Sequence, residues 1–246
     1  MTTLSKARSA GRWLSMSAGV AAAAYATYAG VTWLRYGQAS PPAPENQDLL
    51  LDRFMPAYDI AERHHIRVAA PAEITFTTAC KTDLQQSPIA RVIFRAREVI
   101  LGSEPDAAAR PNGLLALTKS LGWRVLAEVL GREVVMGAVT QPWEADVTFR
   151  GLPPDEFAAF NEPGYVKIAW TLRADPIAST ESVFRTETRA IATDAAARAR
   201  FRRYWSFLSP GIIVIRSMML HPLKAEAERR AREVKPRLRE APNPGS

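Results

Sequence analysis

The chain has 246 residues, of which 47% are hydrophobic and 23% charged, so it can form one large folded domain and does not fit the disordered or collagen-like classes. The single cysteine, Cys80, excludes an intramolecular disulfide framework, and with three histidines a Cys/His zinc site is a poor fit. The net charge of +7 permits attraction to anionic lipid or nucleic acid but requires neither.

The first predicted element is a membrane span. Residues 13–34 contain no Asp, Glu, Lys or Arg, and a helix of that length extends roughly 33 Å, the thickness of a bilayer core. Trp13 and Trp33 lie at the two ends of this run, where aromatic rings prefer the headgroup boundary. We expect a transmembrane helix over 13–36 after a basic flank over 1–12. A cleaved signal peptide and a buried soluble helix are the alternatives.

The flanking charges predict the orientation of this span. Three basic residues, Lys6, Arg8 and Arg12, precede it, whereas only Arg35 follows it closely. The positive-inside rule therefore favours a cytoplasmic N-terminus and an exported domain, in a single-pass membrane protein. Small residues recur every fourth position and form a face through which two copies could pair as a homodimer, although an alanine-rich span also produces this pattern by chance. They are Ala18, Ala22, Ala26 and Gly30.

Composition divides the rest of the chain into three parts. Residues 37–49 open with a Gly/Ser/Pro-rich stretch without any period, which is typical of an extended linker. Residues 50–222 show no internal repeat and read as one domain. Residues 223–246 form a charged tail that is expected to fray at its end.

The domain begins with a strand and two helices. Alternation over 57–68 predicts a half-buried strand, and Pro71 suits the first turn of a short helix. A second helix is predicted over 88–100. Residues 101–122 are expected to form a cap over one mouth of a cavity. Three leucines of this cap should face inward: Leu114, Leu115 and Leu117.

A run of antiparallel strands and one long helix complete the domain. The strands are predicted at 123–129, 133–140, 145–150, 165–173 and 181–192, with a turn around Asp175-Pro176 between the last two. Asp194 should cap a long amphipathic helix. Pro210-Gly211 predicts a kink or break in that helix, because proline removes one helical hydrogen bond.

Two segments resemble a known superfamily. HIRVAAPAEITF (65–76) and ETRAIATDAAARARFRRYWSFLSPGIIVIRSMML (187–220) look like the corresponding parts of the START-related helix-grip lipid-binding superfamily (SRPBCC), in particular its polyketide cyclase/dehydrase-like branch. The resemblance implies an α+β helix-grip fold, in which a bent antiparallel sheet of about six to seven strands wraps around a long C-terminal helix. It implies a lipid-like or polycyclic ligand between sheet and helix, and no shared cofactor.

The most informative polar residues are Glu62 and His64, which fall on the apolar face of the first strand. Burying ionisable groups is costly unless they are paired or hydrated. They could form a structural pair satisfied by a neighbouring strand, with Arg185 as one partner. They could instead orient a polar group of a ligand, or act as a general acid and base.

Aromatic and soft apolar side chains supply the remaining ligand-binding candidates. They are Trp123, Met136, Trp143, Trp170, Tyr204, Trp205 and Leu208. On the last strand, Phe184, Thr186, Thr188 and Ala190 should face the core, which would place Arg185 and Glu187 in an outer salt-bridge ladder; a charged floor for an anionic ligand head is the alternative.

No motif of a serine hydrolase, a P-loop or a dinucleotide fold is present. Cys80 has no histidine near it in sequence and is expected to be a small buried hydrophobe, and we expect neither a metal nor a cofactor. The basic tail is diluted by glutamates, which argues against a nucleic-acid partner.

The leading hypothesis is a membrane-anchored binding or carrier protein for a hydrophobic small molecule, a function that requires no chemistry. The rival is an enzyme of the cyclase, dehydratase or isomerase type, with Glu62 and His64 as acid and base. A weaker alternative is a non-catalytic subunit of a membrane complex.

Overall fold

A computed structural model describes residues 2–82, 102 and 111–240 of the chain, and the side chains of 19–82, 102 and 111–234. The helices are α1 (Thr2–Arg35), α2 (Leu49–Asp52), α3 (Ala72–Lys81), α4 (Leu114–Ser120), α5 (Pro154–Ala159) and α6 (Ala195–Glu240). The strands are β1 (Ile60–Val68), β2 (Arg124–Val129), β3 (Glu133–Thr140), β4 (Val166–Ala178) and β5 (Glu181–Ala192).

The fold is α+β, with one antiparallel sheet and a long C-terminal helix, and the strand order is β1-β5-β4-β3-β2. Over the described residues the sheet has five strands, so the expectation of six to seven is wrong. Residues 145–150 do not form the expected strand, because only Arg150 pairs with the sheet, through an isolated bridge to Val139. The β4–β5 turn is also later than expected, since Pro176 lies within β4 and is accommodated by an irregularity beside Ala178.

The inner face of the sheet packs against α6 through two hydrophobic clusters. The lower cluster contains Trp170, Leu172 and Phe184 of the sheet, and Leu223 and Ala227 of α6. The upper cluster contains Val166, Ala190, Phe201 and Trp205, together with Tyr36 at the end of α1. The helix therefore lies along the sheet from its first turns to beyond residue 227, past the predicted domain end at 222.

Helix α6 is continuous through Pro210, so the predicted break does not occur there. An internal proline costs about 3 kcal/mol in an isolated helix. Here the surrounding turns are held by packing, because Trp205 and Ser209 are buried and Ile212 contacts the upper cluster. Tertiary contact therefore overrides the local signal.

The cap region is described only in part. The helix predicted over 88–100 lies outside the described residues, as do residues 103–110. The end of the predicted cap forms α4, whose Leu117 is buried while Leu114 and Leu115 pack against the lower cluster. These leucines face inward, as expected.

The outer face of the sheet is covered by the segment that precedes β1. Leu51, Phe54 and Met55 pack against Val135 and Ala169 of the sheet. Residues 46–48 lie within the predicted linker, and they contact two arginines of the sheet. Arg173 donates to the Gln47 carbonyl oxygen at 2.9 Å, and Arg185 donates to the Asn46 side chain.

Arg185 and Glu187 do face away from α6, but they are not an exposed ladder. Glu187 is 5% exposed and lies between Arg63, at 2.9 Å, and Arg189, at 2.7 Å. Arg185 pairs with Asp175 at 3.0 Å. The segment before β1 shields these pairs from solvent, which the strand pattern alone did not reveal.

Helix α1 contacts α6 near the start of the domain. Arg202 donates to the Trp33 carbonyl oxygen at 2.9 Å, and the Tyr28 and Ser209 hydroxyl groups lie 3.0 Å apart. Among the described residues, one helix is long and apolar enough to cross a membrane. It is α6 over Ala195–Val234, which contains an 18-residue window with a mean hydropathy of 1.2. The N-terminal span remains a prediction.

Candidate functional site

A layer of polar side chains separates the two hydrophobic clusters between the sheet and α6. On β1, Glu62 and His64 follow Ile60 of the upper cluster and precede Ile66 of the lower one. We call the layer formed by Glu62, His64, Thr186, Thr188 and Arg216 the polar belt. The strand register aligns it, because Glu62 is opposite Thr188 and His64 is opposite Thr186.

Helix α6 places Arg216 at the same level. The residue lies one helical turn after Ile212 of the upper cluster and one turn before Leu220, which packs on the lower cluster. Its charge acts on Glu62 and on His64. Along the axis of α6, the interior therefore consists of the apolar upper cluster, the polar belt and the apolar lower cluster.

Within the described part of the chain, two polar atoms of the belt are buried without a hydrogen-bond partner: His64 Nε2 and Thr188 Oγ1. Buried polar groups are nearly always hydrogen-bonded, and leaving one unpaired costs about 1–3 kcal/mol. Glu62, His64 and Thr188 nevertheless keep partial exposure. These residues of the belt are therefore partly accessible, whereas the two unpartnered atoms themselves are buried.

Burial shifts the pKa values of the belt in a consistent way. Desolvation raises the pKa of Glu62, opposed by the positive charges of Arg216 and Arg63. Desolvation, followed by the charge of Arg216, lowers the pKa of His64. Desolvation also lowers the pKa of Arg216 to about 10. At neutral pH the belt thus contains a cationic guanidinium and a neutral imidazole.

The charge of Arg216 couples it to the titration of both Glu62 and His64. Replacing Arg216→Gln removes a positive charge, so the pKa values of both Glu62 and His64 should rise, His64 toward its ordinary value of 6.5. The titration is measured on the full chain from the histidine ring and glutamate carboxyl resonances in NMR spectra, assigned with His64→Gln and Glu62→Gln. Arg203→Gln, an exposed position of the same helix, should change neither value. An unchanged His64 titration in Arg216→Gln would show that the two groups are not coupled.

The low pKa of His64 also links stability to pH. The fold favours the neutral imidazole, so this contribution is fully present above the unfolded-state pKa, near 6.5. It is lost as the pH falls from there through the lower folded-state pKa.

The structure separates the predicted ligand-binding residues into groups. Met136 and Trp170 lie in the lower cluster, with Trp123 packed against it. Trp205 lies in the upper cluster, which Trp143 and Tyr204 contact. Leu208 is half-buried and belongs to neither cluster. Glu62 and His64 lie between the clusters, so these residues line one interior but do not converge on a single point.

The suggested pairing of Arg185 with Glu62 and His64 is wrong. Arg185 lies on the outer face of the sheet, where its Nε donates to Asp175 at 3.0 Å. The cation that shifts the pKa values of Glu62 and His64 is Arg216, which was not predicted from the sequence. One signal was present: Arg216 is the single charged residue between 204 and 220.

A second feature is a shallow cavity of about 260 Å³ at the start of α6. Trp143, Gly164, Asp194 and Arg200 line part of it. The Trp143 Nε1 atom is buried with no hydrogen-bond partner among the described residues, and the Arg200 guanidinium lies 5.9 Å from the Trp143 ring. Asp194 accepts from the Ala197 amide at 3.0 Å and so caps the helix, as predicted. This cavity adjoins the upper cluster through Trp143.

Other candidate chemistry finds no support in the described part of the chain. Cys80 packs against the lower cluster, and burial raises the pKa of its thiol to about 11, so it is protonated at neutral pH. His65 is exposed, as expected. Among the described side chains, no three His, Cys, Asp or Glu residues converge in a way that could hold a metal ion.

No protein-family model matches the sequence, and no curated protein matches it significantly. Solved structures that resemble it include a conserved protein from Geobacillus kaustophilus, at 11% identity over 69% of this chain and 96% of that one, with a TM-score of 0.32. A norcoclaurine synthase from Thalictrum flavum is 8% identical over 67% and 93% of the two chains, with a TM-score of 0.31. The ZhuI aromatase/cyclase from Streptomyces sp. R1128 is 14% identical over 70% and 94%, with a TM-score of 0.25.

Proposed function

We propose that this protein is a membrane-anchored binding or carrier protein of the helix-grip type. Its ligand is a hydrophobic small molecule, lipid-like or polycyclic, that bears at least one polar group. The apolar part lies against the two clusters between the sheet and α6, and the polar group lies at the polar belt. The observation that carries the proposal is the pair of unpartnered buried atoms, His64 Nε2 and Thr188 Oγ1, beside Arg216.

The layered interior supports this ligand chemistry. Small-molecule sites are mainly apolar, with a few polar groups that fix the orientation of the ligand. Trp170 and Trp205 provide large apolar surfaces on either side of the belt. A purely apolar molecule would leave the belt unsatisfied, whereas a hydroxyl, carbonyl or carboxyl group would satisfy it.

The experiment is to purify the full chain from membranes in detergent, wash away bulk lipid, denature the protein and identify the extracted molecules by mass spectrometry. The proposal expects one amphiphilic class, at about one molecule per chain, enriched over the lipids of the host membrane. An extract that matches the host membrane in every class would contradict it.

The proposed membrane attachment rests on the apolar helix α1, with its N-terminus cytoplasmic and the domain exported. Pairing of two copies through the small-residue face is part of the same proposal. Within the described side chains, Ala22, Ala26 and Gly30 are exposed on α1, whereas Ala29 is buried. The face that packs toward α6 therefore differs from the one proposed for pairing.

A second candidate function is acid–base catalysis of the cyclase, dehydratase or isomerase type. One observation favours it: the pKa of Glu62 is raised while the pKa of the neighbouring His64 is lowered. Groups shifted in this way can exchange a proton with a bound molecule near neutral pH. An enzyme would release a mixture of substrate and product in the extraction above. Glu62→Gln would then release substrate alone.

A further inference from the structure

Among the described side chains, eight large apolar ones are exposed on α1 and on residues 195–225 of α6, two helices that lie side by side. Their exposed fractions range from 36% for Trp33 to 70% for Val20 on α1, and include 52% for Phe207 on α6. We call this set the apolar surface: Val20, Tyr25, Val31, Trp33, Leu34, Phe207, Val214 and Met218.

The two halves of this surface are continuous, because α1 and α6 are joined by side-chain contacts. The Tyr25 hydroxyl donates to the Phe207 carbonyl oxygen, and the Arg202 guanidinium lies 4.3 Å from the centre of the Trp33 ring. Later residues of α1 contact earlier residues of α6, so the two helices run antiparallel.

The charges of α1 and α6 indicate which kind of partner the apolar surface contacts. Neither residues 2–35 nor residues 195–225 contain an aspartate or a glutamate. Exposed arginines lie where the two helices meet the sheet, at Arg35, Arg200 and Arg203. An apolar surface with exposed arginines at one end complements a bilayer that contains anionic lipids, in which acyl chains lie beneath negative headgroups.

Helix α6 cannot use its whole circumference for this contact, because Phe201, Trp205, Leu223 and Ala227 are buried against the sheet. A helix with one face packed on its own domain has only its outer face available for contact with lipid.

We infer that the outer face of α6, through Phe207, Val214 and Met218, contacts the lipid of an anionic bilayer alongside α1. The inference rests on the proposed membrane attachment through α1. It adds a second contact, which α1 alone would not require. Arg216 belongs to the polar belt, whereas Val214 and Met218, on either side of it in the sequence, then face the membrane. Helix α6 therefore separates the ligand space from the lipid.

The test uses the full chain in the background Cys80→Ala, reconstituted into phosphatidylcholine vesicles with and without phosphatidylglycerol. Single cysteines replace Val214 and Met218, and each is labelled with an environment-sensitive fluorophore. Val31→Cys reports on α1. Leu130→Cys is the matched control, because Leu130 is 92% exposed in the β2–β3 turn, away from both helices. Quenching by doxyl-labelled lipid is compared with quenching by iodide.

We expect lipid quenching at 214 and 218 to exceed that at 130 by roughly twofold or more, because side chains that face lipid lie beside the acyl chains and Leu130 does not. Iodide quenching should show the opposite order, and removal of phosphatidylglycerol should reduce the lipid quenching at 214 and 218. Lipid quenching at 31 together with full iodide access at 214 and 218 would overturn the inference while leaving the α1 anchor and the ligand proposal intact. Protection from both quenchers at 214 and 218 would overturn it in favour of a protein partner.

Discussion

Replacing Arg189→Leu should destabilise the protein by about 3–5 kcal/mol, because it removes one partner of a buried ion pair. Arg189 is fully buried and donates to Glu187 at 2.7 Å and to the Met55 carbonyl oxygen at 2.8 Å. It also pairs with Asp52 of α2. Leucine leaves these acceptors without their donor, and Glu187 keeps only Arg63. The measurement is the free energy of unfolding of the full chain in mild detergent.

An exposed ion pair between an arginine and a glutamate provides the matched control. Arg67 pairs with Glu181 at the surface, where its side chain is 67% exposed, so Arg67→Leu should cost less than about 1 kcal/mol. The double variant Arg189→Leu with Glu187→Leu should recover part of the loss, since it removes the buried Glu187 carboxylate, while Asp52 and Arg63, which also lose a partner, have side chains that are 40% and 24% exposed. A similar small cost for Arg189→Leu and Arg67→Leu would show that the segment before β1 does not depend on this network.

Replacing Arg216→Gln should reduce the amount of ligand that the purified full chain retains by roughly tenfold or more. A hydrogen bond to a charged group contributes about 1.5–3 kcal/mol, and 1.4 kcal/mol changes affinity about tenfold. Arg216 is the only charged group of the belt that α6 supplies, and glutamine keeps much of its length without the charge. The measurement is quantitative mass spectrometry of the extract against protein concentration.

Arg203→Gln is the control for this experiment, because it removes the same charge from an exposed position of the same helix. It should retain the wild-type amount of ligand. Thermal unfolding of both variants separates loss of binding from loss of folding. Equal retention in Arg216→Gln, Arg203→Gln and the wild type would exclude Arg216 from ligand recognition.

Local sequence patterns were sufficient for most elements of the domain. The alternation around Glu62 and His64 placed both residues on the inner face of β1, and the alternation from Phe184 to Ala190 placed that strand's inner face correctly. These predictions are correct because successive residues of a strand point to opposite faces of the sheet, independently of distant segments of the chain. Helix α3 begins after Pro71 for a similarly local reason.

Interactions between distant segments account for the differences. Pro210 does not interrupt α6, because the sheet and α1 hold the turns on either side of it. Arg216 could not be assigned to the belt from its own helix, since its position opposite Glu62 depends on how α6 crosses the sheet. Gln47 looked like part of a linker by composition, and only the fold places its carbonyl oxygen 2.9 Å from Arg173.

The most direct test of a ligand between sheet and helix is photo-crosslinking of the full chain in membranes with a photoreactive fatty acid, followed by mapping of the modified residues. The account predicts modification on the inner face of β1 and β5, at or beside His64 and Thr188, and its reduction in Arg216→Gln. Modification confined to α1 and to the outer face of α6, at Phe207, Val214 and Met218, would contradict the account, because it would show contact with the bilayer and no molecule inside the grip.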